Sequence, residues 1–453
     1  MNTTLVKLLS IILVGVCLAA CAPADSLLAK SDQARILEPQ VPAETLDALV
    51  SGNNAFALDL YQSLRTSDGN LFYSPYSISL ALAMTYGGAR GETEAQMADV
   101  LHFDLSQVDL HAALNRLDLT LMESTDAEDE DEQQPMQLNI ANAVWAQQDH
   151  PFLPEYLDLL ALNYGAGLHL ADFTTQAEPI RREINNWISD QTQERIQDIL
   201  SPGDLDTLTR MVLVNAIYFK ADWQVQFDAN DTHEAPFTLL DGSQVQVDLM
   251  SIDLSLLYLR GENYQAVELP YAGGDAVMDI LLPDEGQFEA FEAGLDGSEL
   301  DAILNRMQNT QLHLEMPKFT FRSQFALAEQ LAGLGMTDAF DPSMADFSGM
   351  DGRRDLFISD VIHQAFVAVD EEGTEAAAAT VVIMKLTGLP FPGIQLTIAR
   401  PFIFLAHHPS AGPTHRRSVF APSLPPDSTA NAASRKSARF GTGVGTLADM
   451  HVG

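Results

Sequence analysis

One stretch of the chain combines residue types and spacing that point to a specific chemistry. It runs Val369-Asp370-Glu371-Glu372-Gly373-Thr374-Glu375-Ala376-Ala377-Ala378-Ala379-Thr380. Read with a period of two, one set of side chains is Thr374, Ala376, Ala378, Thr380, Val382, Met384 and Leu386; the other is Glu375, Ala377, Ala379, Val381, Ile383 and Lys385. The first set holds no charge and its early members are small. A segment of this kind can slide between two existing strands and present one side to a core. Four successive alanines are also good helix formers and poor strand formers, so composition leaves open a short surface helix after Gly373. Catalysis is a poorer fit. The sequence holds no Gly-x-Ser-x-Gly, no His-Glu-x-x-His, and no cysteine beyond Cys17 and Cys21, so no enzyme is expected. Gly441-Thr442-Gly443-Val444-Gly445 follows no expected strand and is not read as a phosphate loop, and no cofactor is expected.

The elements that must position this stretch are legible from apolar periodicity. Leu46, Leu49, Val50, Phe56, Leu58, Leu60, Tyr61 and Leu64 predict a helix over 45–64. A second helix-like run ends at Tyr86 before Gly87-Gly88, and its apolar residues on all sides predict burial. Leu138 to Trp145 alternates as a strand, and Met211 to Phe219 is nearly continuous apolar, as in a central strand. Pro179 to Leu200 reads as a helix, with Ile180, Ile184, Trp187, Ile188, Ile196 and Ile199 on one side. Further strands are expected over 277–282, 312–316, 358–369 and 394–405. Helices come first and strands dominate later, without repeats or an internal linker over 45–406, which predicts one α+β domain.

The stretch Glu371 to Thr380 resembles the proximal hinge of the reactive-centre loop of the serpins, nearly residue for residue. Other blocks agree in serpin order: Asn70-Leu71-Phe72-Tyr73-Ser74-Pro75-Tyr76-Ser77-Ile78, Leu213 to Trp223, Glu268-Leu269-Pro270-Tyr271, Met316-Pro317-Lys318-Phe319 and Ala399 to Phe404. The resemblance covers about residues 45–405. It implies the serpin fold, with three β-sheets, about eight or nine helices and an exposed reactive-centre loop over about 371–393. It also implies a function: irreversible suicide inhibition of serine (and cysteine) proteases by a monomer. The protease cuts the loop and is held as an acyl-enzyme while the hinge, Glu371, Glu372, Gly373, Thr374, Glu375, Ala376, Ala377, Ala378, Ala379 and Thr380, inserts as a new central strand.

By the family's count the scissile bond falls at Thr387-Gly388, with bonds flanking Lys385 and Leu386 as alternates. Carried over residue by residue, Ser74, Ser77, Asn215 and His363 match the polar shutter, Trp223 the breach, and Lys318 with Glu371 a hinge ion pair. Strand addition forms on the order of ten backbone hydrogen bonds at about 1 kcal/mol net each. Burial of Val382, Met384 and Leu386 adds about 1.5–3 kcal/mol apiece. The total rivals the stability of a whole domain. Two other readings stay open: a non-inhibitory serpin acting as a binding protein or chaperone, and an inactive product with a frameshifted C-terminus.

The ends of the chain set the location. Lys7 followed by an apolar run and Leu18-Ala19-Ala20-Cys21 resembles a bacterial lipobox, with residues 1–20 as signal peptide and Cys21 as the lipidated residue. Residues 21–44 are expected as a flexible tether from an anchored or extracellular position. The formal charge is −39; Lys7 is the only charge in 1–20, and 407–453 hold five Lys/Arg against Asp427 and Asp449, leaving −43 on residues 21–406. So acidic a body excludes nucleic acid as a partner. The densest run, Glu123 to Glu132, reads as a solvated loop. Residues 407–453 form a basic, Pro/Ser/Ala-rich tail where the family has one more buried strand, and His407-His408 lacks metal-ligand spacing, so no metal is expected.

Overall fold

The computed structural model describes residues 27–66, 69–125, 137–274, 276–374, 393–407 and 449–450. In chain order the first strands are Leu27–Ala29 (β1), Gln137–Gln147 (β2), Leu168–Ala171 (β3), Met211–Asp222 (β4) and His233–Thr238 (β5). Gln244–Arg260 (β6), Tyr264–Pro270 (β7), Val277–Pro283 (β8), Gln308–Pro317 (β9) and Phe319–Ala326 (β10) follow. The last are Asp360–Val369 (β11), Gly373–Thr374 (β12), Ile394–Thr397 (β13), Ile403–His407 (β14) and Asp449–Met450 (β15). Ten α-helices accompany them among the described residues, including short ones such as Ser348–Asp351.

Hydrogen bonding sorts the strands into a seven-stranded sheet, β1-β3-β2-β4-β12-β11-β10, and an eight-stranded set, β13-β9-β6-β7-β8-β14-β15 with β5 on β6. The 17-residue β6 pairs with β5 at its start, β9 along its middle and β7 at its end, so one strand joins the two smaller sheets of the expected three into a single bonded set.

Every residue of β4 is buried, as its unbroken apolar run requires of a central strand covered on both faces. One face, with Leu213, Ile217 and Phe219, packs on the large core beneath the fully buried Pro75–Tyr86 helix. The other, with Val212, Val214, Ala216 and Tyr218, packs on the Phe173–Gln191 helix.

Four expectations are corrected. The helix expected over 179–200 runs instead from Phe173 to Gln191, with a non-helical Gln176 ahead of Pro179. Beyond it Gln193, Glu194 and Asp198 take positive φ, yet Ile196 and Ile199 still reach the same core. The periodic apolar residues thus continue past the end of the helix into non-helical backbone that packs on the same core. The strand expected over 394–405 is two strands, because Pro401 cannot donate to a ladder and the chain turns between Thr397 and Ile403. Residues 27–42, expected as part of a free tether, lie against the domain. There β1 pairs with β3, Arg35 bonds Asp118 at 2.6 Å and Asn115 at 2.8 Å, and Ile36 N–H donates to Leu162 O. At the other end His407, assigned to the tail, is the buried last residue of β14. Beside β14, β15 pairs Asp449 with Leu405 and Met450 with Phe404.

Candidate functional site: a seam in the seven-stranded sheet

The site lies where β4 and β11 meet. They run parallel in direct register from Val212↔Asp360 to Tyr218↔Phe366 and then part. Into the gap enters β12, pairing Thr374 with Val369 on one side and Gly373 with Asp222 and Thr374 with Ala221 on the other. The chain reaches this place through a tight reversal after β11. Asp370 N–H donates to Gly373 O, and the Asp370 carboxylate accepts from the backbone N–H groups of Glu372 and Gly373. Gly373 is required by close approach: a Cβ there would meet Ala221 O at 2.2 Å and Asp222 Cα at 2.6 Å.

Trp223, at the end of β4, fixes the entrance. Its indole N–H donates to Asp370 O at 2.9 Å and its backbone N–H to Glu372 O at 2.9 Å. The ring stacks on Tyr271 with centroids 4.6 Å apart and an interplanar angle of 5°. Tyr271 in turn shares a 2.7 Å hydrogen bond with the hydroxyl of fully buried Thr374. Below the reversal, Glu371 pairs with Lys318 Nζ at 2.6 Å and accepts from the Thr232 hydroxyl at 2.6 Å. Burial pushes the Glu371 carboxyl up, but these two donors outweigh it and hold the group below its ordinary range. Burial raises Asp370 despite its two backbone donors, and it raises Glu372 together with the charge of Asp370.

Lower in the seam a polar row crosses three strands. Asn142 in β2 faces Asn215 in β4, which faces His363 in β11. The Asn215 amide donates to Asn142 Oδ1 and to Ser77 Oγ, and Asn215 Oδ1 bonds His363 Nδ1. Ser74 N–H donates to His363 Nε2 at 3.1 Å. Because Nε2 accepts, the ring is the neutral tautomer with its proton on Nδ1, donated to Asn215. Complete burial agrees, lowering the His363 pKa to about 3. Ser74 also caps the Pro75–Tyr86 helix through the Ser77 N–H, with Pro75 at its first position, so the helix N-terminus is anchored on this row. The imidazole stacks on Phe325 of β10 at 6.5 Å and 8°.

The structure thus brings Ser74, Ser77, Asn215 and His363 together in one cluster, and Trp223, Lys318, Glu371, Glu372, Gly373 and Thr374 in another at the head of the same seam. Glu375 to Thr380, Lys385, Leu386, Thr387, Gly388 and Cys21 lie outside the described residues. Sequence reading missed Asn142, Thr232, Tyr271 and Phe325 as partners. Asn142 gave a signal, being the polar member of the alternate set Leu138, Ile140, Asn142 and Val144; Thr232 gave none.

The arrangement is a closed parallel ladder with the beginning of an extra strand at its head. The chain matches the family model described as Serpin (serine protease inhibitor) over residues 51–415. It is 38% identical over 380 residues to leukocyte elastase inhibitor A of Rattus norvegicus, covering 81% of this chain and 97% of that protein. It is 36% identical over 380 residues to the leukocyte elastase inhibitor of Homo sapiens, with coverage of 81% and 97%. Among solved structures it is similar to the thermophilic serpin tengpin in the native state, with TM-score 0.71, 30% identity and coverage of 83% and 93%. Uncleaved ovalbumin gives TM-score 0.70, 28% identity and coverage of 80% and 96%.

Proposed function

The chain belongs to the serpin family, and from that premise we propose that it is an irreversible, single-turnover inhibitor of serine proteases that adds its own cleaved loop to the seven-stranded sheet. The observation that carries this reading is the seat of Gly373–Thr374 between β4 and β11, at the point where those strands part. A strand extended from Thr374 has one continuous path, down the seam.

The proposed sequence begins when the protease serine adds to the carbonyl of Thr387. The Thr387–Gly388 bond breaks, the Gly388 amine takes up the proton removed from the serine, and Thr387 remains esterified to the enzyme. Residues from Glu375 onward then follow Thr374 into the seam. Each rung of the parallel β4–β11 ladder that opens is replaced by antiparallel pairing on both sides of the new strand, which yields a net gain of backbone hydrogen bonds. The Asn215–His363 bond must break on the way. The polar row therefore acts as a latch whose cost the finished sheet offsets, and Trp223, Tyr271 and Gly373 guide the first residues in. The small, uncharged hinge side chains that would face the core favour insertion over a purely binding role. We further propose export, with the lipobox-like Cys21 as a lipid anchor on a membrane; the docked residues 27–36 would then leave only a short reach between lipid and domain.

The names of its relatives put elastase-type enzymes first among targets, and Lys385 adds trypsin-like ones. Incubation with a panel of elastase-, chymotrypsin- and trypsin-like proteases should give an SDS-resistant adduct with at least one. Cleavage within 381–390 by panel members without any adduct would refute inhibition.

A further inference from the structure

Residues 27–37 lie along the outside of the domain and carry an unusual share of its exposed apolar surface. Of the ten large apolar side chains exposed among the described residues, four are Leu27, Leu28, Ile36 and Leu37. Two more, Val108 and Met122, belong to the Gln107–Thr125 helix that this segment crosses. A spacing of seven puts Val108, Asn115 and Met122 on one face of that helix. Asn115 is covered by the segment: its amide donates to Ile36 O at 2.8 Å and accepts from Arg35 Nε at 2.8 Å. On either side of it Val108 stays 80% exposed and Met122 51%. Scattered exposed leucines need no explanation, but apolar side chains gathered on one docked segment and the helix face beside it mark a surface for a partner.

What precedes the segment says which partner. Cys21 stands six residues before Leu27, a reach of at most about 20 Å, so a lipid on Cys21 holds Leu27 within that distance of a bilayer. We propose that this surface seats on the membrane that holds Cys21, with Leu27, Leu28, Ile36, Leu37, Val108 and Met122 entering the headgroup boundary. The inference rests on the lipidated Cys21 proposed above. Confinement by so short a tether gives a high effective concentration at the bilayer, so a small apolar surface suffices. Exposed Lys30, between the two apolar pairs, can lay its stem along that surface and extend its ammonium to lipid phosphates. The charge of −43 on residues 21–406 opposes an anionic surface, which makes a zwitterionic bilayer the fit.

Strand register sets the orientation that follows. Leu28 pairs with His169, His169 with Trp145, and Trp145 with Val212, at the foot of the seam. Thr374 pairs with Ala221, nine residues along β4 and about 30 Å away. Seating by β1 therefore leaves the head of the seam, where the hinge enters, clear of the lipid.

The test couples residues 21–453 through Cys21, then the only cysteine, to a maleimide-bearing lipid in phosphatidylcholine vesicles. Hydrogen exchange read by mass spectrometry compares this form with the same chain free in solution. Peptides covering 27–37 and 107–122 should exchange at least about fivefold more slowly on vesicles, while those covering 277–283 should not change. L27S/L37S alters two side chains that are each 68% exposed, so it should melt as the wild type does and lose the added protection. Equal exchange of the wild type on vesicles and in solution would overturn the seating, and so would protection that survives in L27S/L37S. Because the coupling supplies the anchor chemically, neither result depends on natural lipidation. The mass of the mature N-terminus from host membranes tests that separately: a diacylglyceryl group on Cys21 is expected, and an unmodified Cys21 would overturn the anchor and with it the seating in the cell.

Discussion

Asn215 and His363 are opposite members of one rung of the parallel β4–β11 ladder, joined side chain to side chain, so any strand that enters that seam must separate them. The pair therefore belongs to the intact state alone. His363→Ala strands the Asn215 carbonyl and the Ser74 N–H and leaves a cavity against Phe325. A loss of about 2–4 kcal/mol is expected. Urea unfolding of the intact protein measures it. Asn215→Ala should cost a similar amount, and the double variant should fall well short of the sum. Additive losses would mean that the two residues do not act as one latch.

Acid should weaken the intact protein through its buried neutral rings. Burial lowers the pKa of His363 to about 3 and of His111 to about 4, against about 6.5 when unfolded. Between those values the unfolded chain binds protons that the folded one refuses, so stability is complete above about pH 6.5 and falls as pH drops below it. Each ring contributes a loss of about 1.4 kcal/mol per pH unit, or about 2 kcal/mol from pH 7 to pH 5. Denaturant midpoints across pH 5–8 measure the slope, and His363→Gln should flatten it by one ring's share. An unchanged slope in that variant would contradict burial of the neutral imidazole.

Gly373 has no room for a side chain. Gly373→Ala places a methyl group 2.2 Å from Ala221 O, so the hinge must leave its seat between β4 and β11. Under the proposed mechanism this variant is cleaved more often than it traps, and the stoichiometry of inhibition rises several-fold. Gel densitometry of adduct against cleaved product reads that ratio.

Ala378 belongs to the set of hinge side chains expected to face the core after insertion. Ala378→Arg would force an unpaired charge beneath the sheet at a cost of several kcal/mol, turning inhibitor into substrate. The cleaved wild type should melt far above the intact form, and cleaved A378R should not. Equal gains in Tm for both would refute insertion at that residue.

The Lys318–Glu371 pair should matter little to global stability. Lys318 keeps about a third of its side chain exposed, and Glu371 retains the Thr232 hydroxyl when Lys318 is lost. Lys318→Met is expected to cost less than about 1 kcal/mol, and less still in high salt. Thermal melts at two ionic strengths check this.

Local pattern in the amino-acid order was enough for some features. The unbroken apolar run of β4 required a strand covered on both faces, the all-round apolar run ending at Tyr86 required a buried helix, and the small alternating hinge after Glu371 marked the segment able to join a sheet. Periodicity could not fix where the helix after Phe173 stops, because Ile196 and Ile199 reach the same core through non-helical backbone. Nor could it show that residues 27–36, mixed in polarity and without a helical or strand period, find their partners in Asn115, Asp118, Leu162 and β3. Folding alone gathered Ser74, Ser77, Asn142, Asn215 and His363 into one row and set Tyr271 between Trp223 and Thr374. Those groups come from strands and a helix far apart along the chain. Their contacts exist only where register and burial coincide, and no local spacing encodes either.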